Sequence, residues 1–436
     1  MVESLNPYRR NLRLFVAFRV LFNARFYYPV LGVLFLDLGL SLEQYAILNA
    51  VWAGTIILLE VPSGGLADLV GRRPMVLTAS GLMVLEIALF AFAPSGPLLF
   101  PLLILNRIVS GAAEACASGA DEAMAYDSLP GEGREDAWRE VLATLVRWSS
   151  SAFFVAMLVG AAVFDSDLVN HVWAGLGFAT KWTSAETLRW PLYLTLGSAV
   201  LACVVAVFFR EPPRERVAGD NPIRAALANI RAGAEFVFSS RRILLLLLAG
   251  VLFDSVVRLF LTFASNYYRL IEIPAFANGL LGSAYAVLGF VAAWLARRMA
   301  SGLNPMGVAA VLGGILMVGL LGLCAATPVW GVWVLIPLGL VMPMTGYFLS
   351  NYLNAWTSSE LRATVLSFRG MAINVGYGLF GLGFAGVTAA VRGAHPGLGN
   401  EALFGKTLFI LPVAFAVGSL LLGAFAWATA RRDHST

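Results

Sequence analysis

Charged residues are scarce in this sequence. Lys, Arg, Asp and Glu make up only 13% of the 436 residues, whereas 59% are apolar and the mean hydropathy is +0.78. A typical soluble domain is about half apolar and about a quarter charged. Because a water-soluble fold of this length could not hide so much apolar surface, the composition argues against a soluble enzyme, a nucleic-acid-binding protein and a disordered chain.

Histidine and cysteine are rarer still, with three of each. The cysteines lie singly in apolar runs, so the sequence contains neither a CxxC pair nor a disulfide framework. The histidines lack the spacing of a metal site, and no phosphate-binding loop or G-x-S-x-G nucleophile motif occurs. We therefore expect no catalytic residues, no metal, no cofactor and no internal ATP hydrolysis.

Long apolar runs are what the sequence has in abundance. A helix that crosses a bilayer needs about 20 mostly apolar residues. The pattern predicts an all-α polytopic membrane protein, whose twelve spans lie at about 12–36, 43–63, 75–94, 98–127, 138–164, 189–209, 243–268, 277–296, 305–326, 329–355, 363–391 and 403–430.

Basic residues indicate the orientation. Because the number of spans is even, both termini lie on the same side. Of the 30 Lys and Arg residues, 19 lie in segments on the side of the termini, 5 in loops on the other side and 6 inside spans. Cytoplasmic segments of membrane proteins are enriched in Lys and Arg, so we expect both termini in the cytoplasm.

A charged segment divides the chain into two halves. We predict a six-helix bundle over 1–209, a cytoplasmic linker over 210–242 and a second six-helix bundle over 243–436. Apolar residues at helical spacing in the linker favour an amphipathic helix on the membrane surface, and a solvated charged linker is the alternative. Similar sequences in spans 1 and 7 fit the internal repeat of a two-lobed transporter.

The connection between spans 2 and 3 carries a compact motif, GGLADLVGRRPMVL. Gly64 lets the end of one helix lie close to a neighbour, and Gly71 permits a tight turn. Asp68 lies near a helix end, a few residues before Arg72 and Arg73, so a carboxylate and a guanidinium can pair there.

This motif resembles the loop 2–3 signature of the major facilitator superfamily. In span 4, Arg107-Ile-Val-Ser-Gly111 resembles the family's R-x-x-x-G motif, and ASGADEAMAYDSL resembles a group of bacterial members. The family's frequent basic residue after the Asp is Leu69 here, and span 5 lacks the G-P pair of many drug exporters. The resemblance implies a transporter of the bacterial inner membrane, built from two pseudo-symmetric six-helix bundles.

The resemblance also implies an inner gate at the motif. In such a gate, Asp68 and Arg72 form a charge relay with an acidic residue at the inner end of span 4. Asp121 and Asp127 are the candidates, and we expect Asp121 because it shares a helix face with Arg107.

Ionisable groups inside the spans are the strongest functional signals, since each is costly at membrane depth and usually faces a cavity or a partner. On span 4, Arg107, Glu114 and Asp121 are spaced seven residues apart and lie on one helix face. That face either lines a central cavity or forms an ion-pair seam against span 2 or span 5. On span 7, Asp254 and Arg258 are spaced i,i+4 and can pair directly.

Other polar groups extend this set. Arg25 is expected to point away from the Arg19 side of span 1 and to reach the outer interface. Glu86, midway in span 3, is expected to be a lone protonated carboxyl facing a neighbouring helix. The remaining candidates either line the cavity or serve the interface and helix packing: Arg19 and Asn23 on span 1, Arg147 on span 5, Asn351 on span 10, and Arg369 and Asn374 on span 11.

These features favour a secondary active transporter that moves a small solute by alternating access, with protons as the coupling ion. Six membrane arginines favour an anionic or zwitterionic solute, unless carboxylates neutralise them and leave a hydrophobic drug site. A multidrug, lipid or siderophore exporter, a membrane-embedded transferase and a non-transporting receptor are the alternatives. We expect a monomer that contacts membrane lipid and binds its solute and protons, but no nucleic acid.

Overall fold

Among the residues that the structure describes, twelve helical segments are long and apolar enough to cross a membrane. The computed structural model describes residues 8–129, 134–212, 222–357 and 359–433. Within these residues there is no β-strand, and each predicted span is present with ends that differ by several residues. The spans are Arg10–Asp37, Leu42–Ala67, Arg72–Ala91, Leu99–Asp127, Asp136–Phe164, Ser184–Val207, Arg241–Thr262, Ala277–Gly302, Pro305–Ala325, Trp330–Trp356, Thr364–Ala394 and Asn400–Ala428.

Several spans are single uninterrupted helices. Span 2 is the helix Leu42–Val70, whose first turn is capped by Ser41 and Gln44 in a capping box. The other long helices are Arg72–Ala91, Arg134–Phe164, Trp190–Val207, Arg241–Thr262, Ala277–Gly302, Pro305–Ala325, Leu335–Trp356, Ser359–Ala394 and Ile410–Asp433.

Spans 1 and 4 are interrupted close to the charged residues. Span 1 consists of Arg9–Asn23, a short 3-10 helix at Tyr28–Val30 and Leu31–Asp37. Span 4 consists of Leu99–Ala117 and Ala120–Asp127. Irregular backbone at membrane depth is tolerated where it is buried in protein or lines a cavity. We therefore expect the backbone at these two breaks to be buried in the first bundle or to line a cavity.

Each break has a local cause. Gly119 has φ +76°, a left-handed conformation that glycine adopts without a Cβ clash, and it ends the first part of span 4. In span 1 the helix ends at Asn23, and Pro29, which has no N–H to donate, is the second residue of the next short helix. Arg25 thus projects from a non-helical segment.

Polar contacts identify the side of the molecule on which the termini lie. Asn11 Nδ2 donates to Ser128 Oγ at 2.8 Å and to the Arg210 carbonyl at 2.7 Å. The start of span 1, the end of span 4 and the end of span 6 therefore meet on one side, which we call the terminal face. The other side is the opposite face.

The linker contains a helix, Pro222–Ser239, and the location of this helix on a membrane surface stays a prediction. It packs against spans 2 and 11 at the terminal face. Its buried Val237 belongs to a small apolar cluster with Ile243 and Val365, whereas Arg231 and Glu235 are exposed. Residues 213–221 of the predicted linker lie outside the described part of the chain.

Candidate functional site

The two halves are joined at the opposite face by ion pairs. Arg269 Nη1 and Nη2 donate to the two carboxylate oxygens of Asp37, each at 2.6 Å. Arg392 donates to the two oxygens of Glu43 at 2.7 and 3.0 Å. Burial alone would lower the pKa of the Arg269 guanidinium, but the hydrogen bonds to Asp37 and the negative charges of Asp37 and Glu401 together outweigh burial and raise the pKa. Both bidentate pairs are of the strong, charge-assisted kind.

Neutral contacts reinforce this closure. Tyr45 Oη donates to the Thr262 carbonyl at 2.9 Å, and the Val33 backbone N–H donates to Ser265 Oγ at 3.1 Å. The sequence interpretation did not include any of these cross-half contacts. The partners are more than 200 residues apart, so no local spacing in the sequence could predict these contacts.

A cavity of about 450 Å³ lies between the halves at the terminal face. Its walls come from spans 2, 4 and 11, and the linker helix contributes Ile230. Glu60 and Arg72 are the charged residues of the lining, and the predicted motif residue Gly64 borders it as well. The signature loop thus forms part of the cavity wall.

The gate motif is built around Arg72. Its guanidinium forms an ion pair with Asp127 and donates to the Ala123 carbonyl at 2.7 Å. Asp127, rather than the expected Asp121, is therefore the span 4 partner of the motif. The helix break at Gly119 is the physical reason, because it removes the single continuous face from which Asp121 was chosen. The side chain of Asp68 lies outside the described residues.

Glu211 is a motif partner that the sequence interpretation missed. Its carboxylate accepts from the backbone N–H of Arg72 at 2.9 Å and of Arg73 at 2.7 Å, at the start of span 3. A carboxylate at a helix N-terminus is favoured by the helix dipole. The available signal was an acidic residue at the end of span 6, directly before Pro212-Pro213. Gly71, with φ +114°, makes the predicted tight turn.

Arg25 is the centre of a buried charge cluster, which we call the first-half cluster: Arg25, Glu86 and Glu114. Arg25 Nη1 is 2.6 Å from Glu86 Oε1, and Nη2 is 3.3 Å from Glu114 Oε1. Tyr27 Oη lies 3.1 Å from Nη1. The Arg25 side chain is only 3% exposed, so its predicted extension to the outer interface is wrong. Glu86 is paired, so it is not the lone carboxyl that we expected.

Arg107 has an apolar environment. It is 6% exposed, and its guanidinium lies over the rings of Phe35 and Phe90, with centroid distances of 5.4 and 5.9 Å. Its Nε donates to Asn106 Oδ1 at 2.9 Å. Among the described residues it has no carboxylate partner, and Glu114, the expected partner, is bound to Arg25 instead.

Asp121 pairs with span 1 instead of joining the gate. Arg19 Nη2 donates to Asp121 Oδ1 at 2.8 Å, and Nε is 2.5 Å from Oδ2. Asn23 Nδ2 donates to the Arg19 carbonyl at 2.9 Å and remains exposed. Arg107, Glu114 and Asp121 therefore have three different environments and do not form one polar stripe.

The second-half cluster comprises Asp254, Arg258, Asn374 and Tyr377. Arg258 Nη2 donates to Asp254 Oδ1 at 3.0 Å, which confirms the predicted i,i+4 pair, and Nη1 donates to Asn374 Oδ1 at 3.2 Å. The guanidinium lies 5.5 Å from the centroid of the Tyr377 ring. Asn374 thus joins span 11 to span 7.

Three other candidates have no role fixed by contacts. Among the described residues, the side chains of the exposed Arg147 and the half-buried Arg369 form no ion pair, and Asn351 is exposed. Their location at the cavity or at the membrane interface stays a prediction.

Solved structures share this architecture. The nucleoside transporter NupG superposes with a TM-score of 0.70 at 14% identity, covering 95% of this chain and 98% of that one. A bacterial homolog of the human lysosomal transporter Spinster, in an inward-facing and occupied conformation, also gives 0.70, at 16% identity with 98% and 97% covered. A D-xylose-proton symporter gives 0.62 at 14% identity, with 94% and 97% covered.

Sequence comparison gives the family. No curated protein is a significant match to this chain. The family model described as Major Facilitator Superfamily, by contrast, matches residues 14–381, which include the signature loop, both charge clusters, spans 2 to 10 in full and parts of spans 1 and 11. Together with the twelve-helix fold, this match shows that the chain is an integral, multi-pass membrane protein of the major facilitator superfamily.

Proposed function

We propose that this protein is a secondary transporter that moves a small solute across the membrane by alternating access, coupled to proton movement. The observation that carries the proposal is the unequal contact between the halves. Ion pairs join them at the opposite face, whereas a cavity bordered by the signature loop separates them at the terminal face. One end state of a rocking two-lobed carrier has this form.

The arginine distribution supports an orientation for this state. With the terminal face in the cytoplasm of a bacterial cell, the cavity is accessible from inside and the ion pairs close the outside. The division into bundles at 1–209 and 243–436 belongs to the same proposal, since these are the two bodies that rock.

The arginines inside the spans support a solute with a negatively charged group. Three of the six form ion pairs with carboxylates, namely Arg19, Arg25 and Arg258. For the other three, Arg107, Arg147 and Arg369, no ion pair is present within the described residues. A solute that brings its own carboxylate or phosphate would complete such a site, since a guanidinium keeps its charge in every state.

Two carboxylates support proton coupling. Glu114 is 31% exposed although it lies midway along span 4, so protons can reach it from the interior. Asp254 is held by a single cation, Arg258. Among proteins of similar fold, one is a D-xylose-proton symporter.

Cross-linking the closed face tests alternating access. A thermal-shift screen against metabolites first identifies a stabilising solute. Asp37→Cys and Arg269→Cys are then combined in a background in which Cys116, Cys203 and Cys324 are replaced by Ser. We expect oxidation to block solute flux in proteoliposomes and reduction to restore it, whereas each single-cysteine variant keeps its flux. Full flux in the cross-linked protein would reject alternating access.

A further inference from the structure

One guanidinium forms ion pairs with two carboxylates in the first-half cluster. Arg25 contacts Glu86 at 2.6 Å through Nη1 and Glu114 at 3.3 Å through Nη2. The second oxygen of Glu86, Oε2, is buried and has no hydrogen-bond partner among the described atoms. The sequence offered no sign of this arrangement, because the three residues lie on spans 1, 3 and 4.

The first-half cluster has one cationic side chain and two carboxyl groups, so its net charge depends on how many of the carboxyl groups are ionised. An arginine side chain cannot give up its proton, so at least one of the two carboxylates must stay ionised beside it. If both are ionised, one negative charge is in excess and the two carboxylates repel each other. Such an excess is costly at membrane depth, and one bound proton removes it.

The geometry indicates which carboxyl binds the proton. Glu86 is fully buried and makes the shorter contact with Arg25, so it is the permanent counterion. Glu114 makes the longer contact and is 31% exposed, so it can exchange a proton with water in the interior.

The surrounding charges make this proton exchangeable. From span 1, Arg19 faces Glu114 but is already paired with Asp121, and Tyr27 and Tyr28 flank Arg25. From span 4, Arg107 adds a positive charge without a carboxylate contact; its neighbour Asn106 donates to the Glu86 carbonyl. The second-half cluster is self-neutral because Asp254 pairs with Arg258. The positive charge of Arg19, which Asp121 shares, therefore offsets part of the excess charge when the proton leaves.

We propose that Glu86 is a positioning residue that keeps Arg25 neutralised, so that Glu114 can release and rebind one proton without leaving the guanidinium unpaired. The use of this proton in transport rests on the proposed function, but the proton site itself needs no solute. The assignment differs from the sequence expectation, in which Glu114 served Arg107.

Infrared difference spectroscopy of the purified, solute-free full chain tests the proposal. The C=O stretch of a protonated carboxyl is followed against pH in wild type, Glu114→Gln, Glu86→Gln and, as a surface control, Glu235→Gln. We expect the titrating band to vanish in Glu114→Gln and to persist unchanged in the control. In Glu86→Gln, Glu114 becomes the sole counterion of Arg25, so its titration midpoint should move to lower pH by about one unit or more.

A second variant guards against misfolding. If Glu86→Gln is not monodisperse, the double variant Arg25→Gln/Glu86→Gln removes both members of the buried pair, and the Glu114 midpoint should then rise above that of wild type. A band that persists in Glu114→Gln, or a midpoint that neither Glu86 variant moves, would overturn the proposal. Solute flux that ignores a pH gradient, alongside the expected titrations, would instead refute proton-coupled transport and leave the proton site standing.

Discussion

The two halves of the protein hold buried charge in different ways. In the second half, Asp254 and Arg258 lie one turn apart on an unbroken helix and neutralise each other. In the first half, Arg25 leaves a broken helix and meets carboxylates from two other spans, Glu86 and Glu114. A local pair is complete in itself, whereas a cluster of one cation and two carboxylates changes its net charge with a single proton. Spans 1 and 7 thus have similar sequences, but the charge cluster around span 1 can change its net charge, whereas the ion pair on span 7 is neutral.

The largest effect we expect concerns the buried cation of the first half. Arg25→Gln leaves Glu86 ionised with no counterion in a site that water does not reach, and removing one partner of a buried pair costs about 3–5 kcal/mol. Thermal unfolding in detergent should show a large loss of stability. The matched change in the second half, Arg258→Gln, should cost about 1–3 kcal/mol, because the Asp254 side chain is 11% exposed, whereas that of Glu86 is fully buried. Equal losses would contradict the difference between the clusters.

The next effect concerns Arg107, whose guanidinium lies over two aromatic rings and donates to Asn106. Lysine keeps the charge but lacks the planar fork that makes these contacts. We expect Arg107→Lys to reach the membrane folded and to lose solute flux about tenfold or more, because an ammonium cannot stack on both rings and donate to Asn106 in the same geometry. Near wild-type flux at normal expression would show that only the charge matters there.

Substitutions of two acidic residues of span 4 should affect the gate differently. Asp127→Asn breaks the ion pair with Arg72 at the terminal face, so we expect slower flux with nearly unchanged folding. Asp121→Asn leaves that gate intact but removes the partner of Arg19. Asp68→Asn should also impair flux. The comparison uses initial rates at matched expression, and equal effects of Asp127→Asn and a conservative change at an exposed residue would argue against the gate.

The smallest effect is expected at the opposite face. Asp37→Asn removes one partly exposed ion pair, and such pairs contribute about 0–1 kcal/mol. The distribution between conformations should shift modestly toward opening at this face, more at low than at high salt. The swapped double variant Asp37→Arg/Arg269→Asp should recover the wild-type distribution, as measured by cross-linking rates between Asp165→Cys and Phe276→Cys. Failure of the swap to restore closure would show that the pair is incidental.

Features determined by local composition could be predicted from the sequence. Apolar length predicted all twelve spans, and helical spacing predicted the linker helix and the Asp254–Arg258 pair. The tight turn of the signature loop could also be predicted, because its φ of +114° favours the glycine found at position 71.

Partners distant in sequence could not be predicted in the same way. Helical spacing places Asp121 on the Arg107 face only if span 4 is one continuous helix. The left-handed Gly119 breaks that helix, so Asp127 pairs with Arg72 and Asp121 pairs with Arg19. The break after Asn23 likewise turned Arg25 into the core. Spacing along one helix cannot report which residue of another span fills the space beside it, and the Glu43–Arg392 pair at the opposite face is missed for the same reason.

The proposed function combined with the proton site gives one expectation, that a proton on Glu114 changes which face of the molecule is open. It is tested most directly by paired spin-label distances measured against pH in nanodiscs. One pair, Asp167→Cys with Glu272→Cys, reports the opposite face, and another, Asp136→Cys with Ser301→Cys, reports the terminal face. As the pH falls, we expect the two distances to change in opposite directions when Glu114 is present and neither distance to respond to pH in Glu114→Gln. Distances that ignore pH in the wild-type background, or that respond equally in Glu114→Gln, would contradict it.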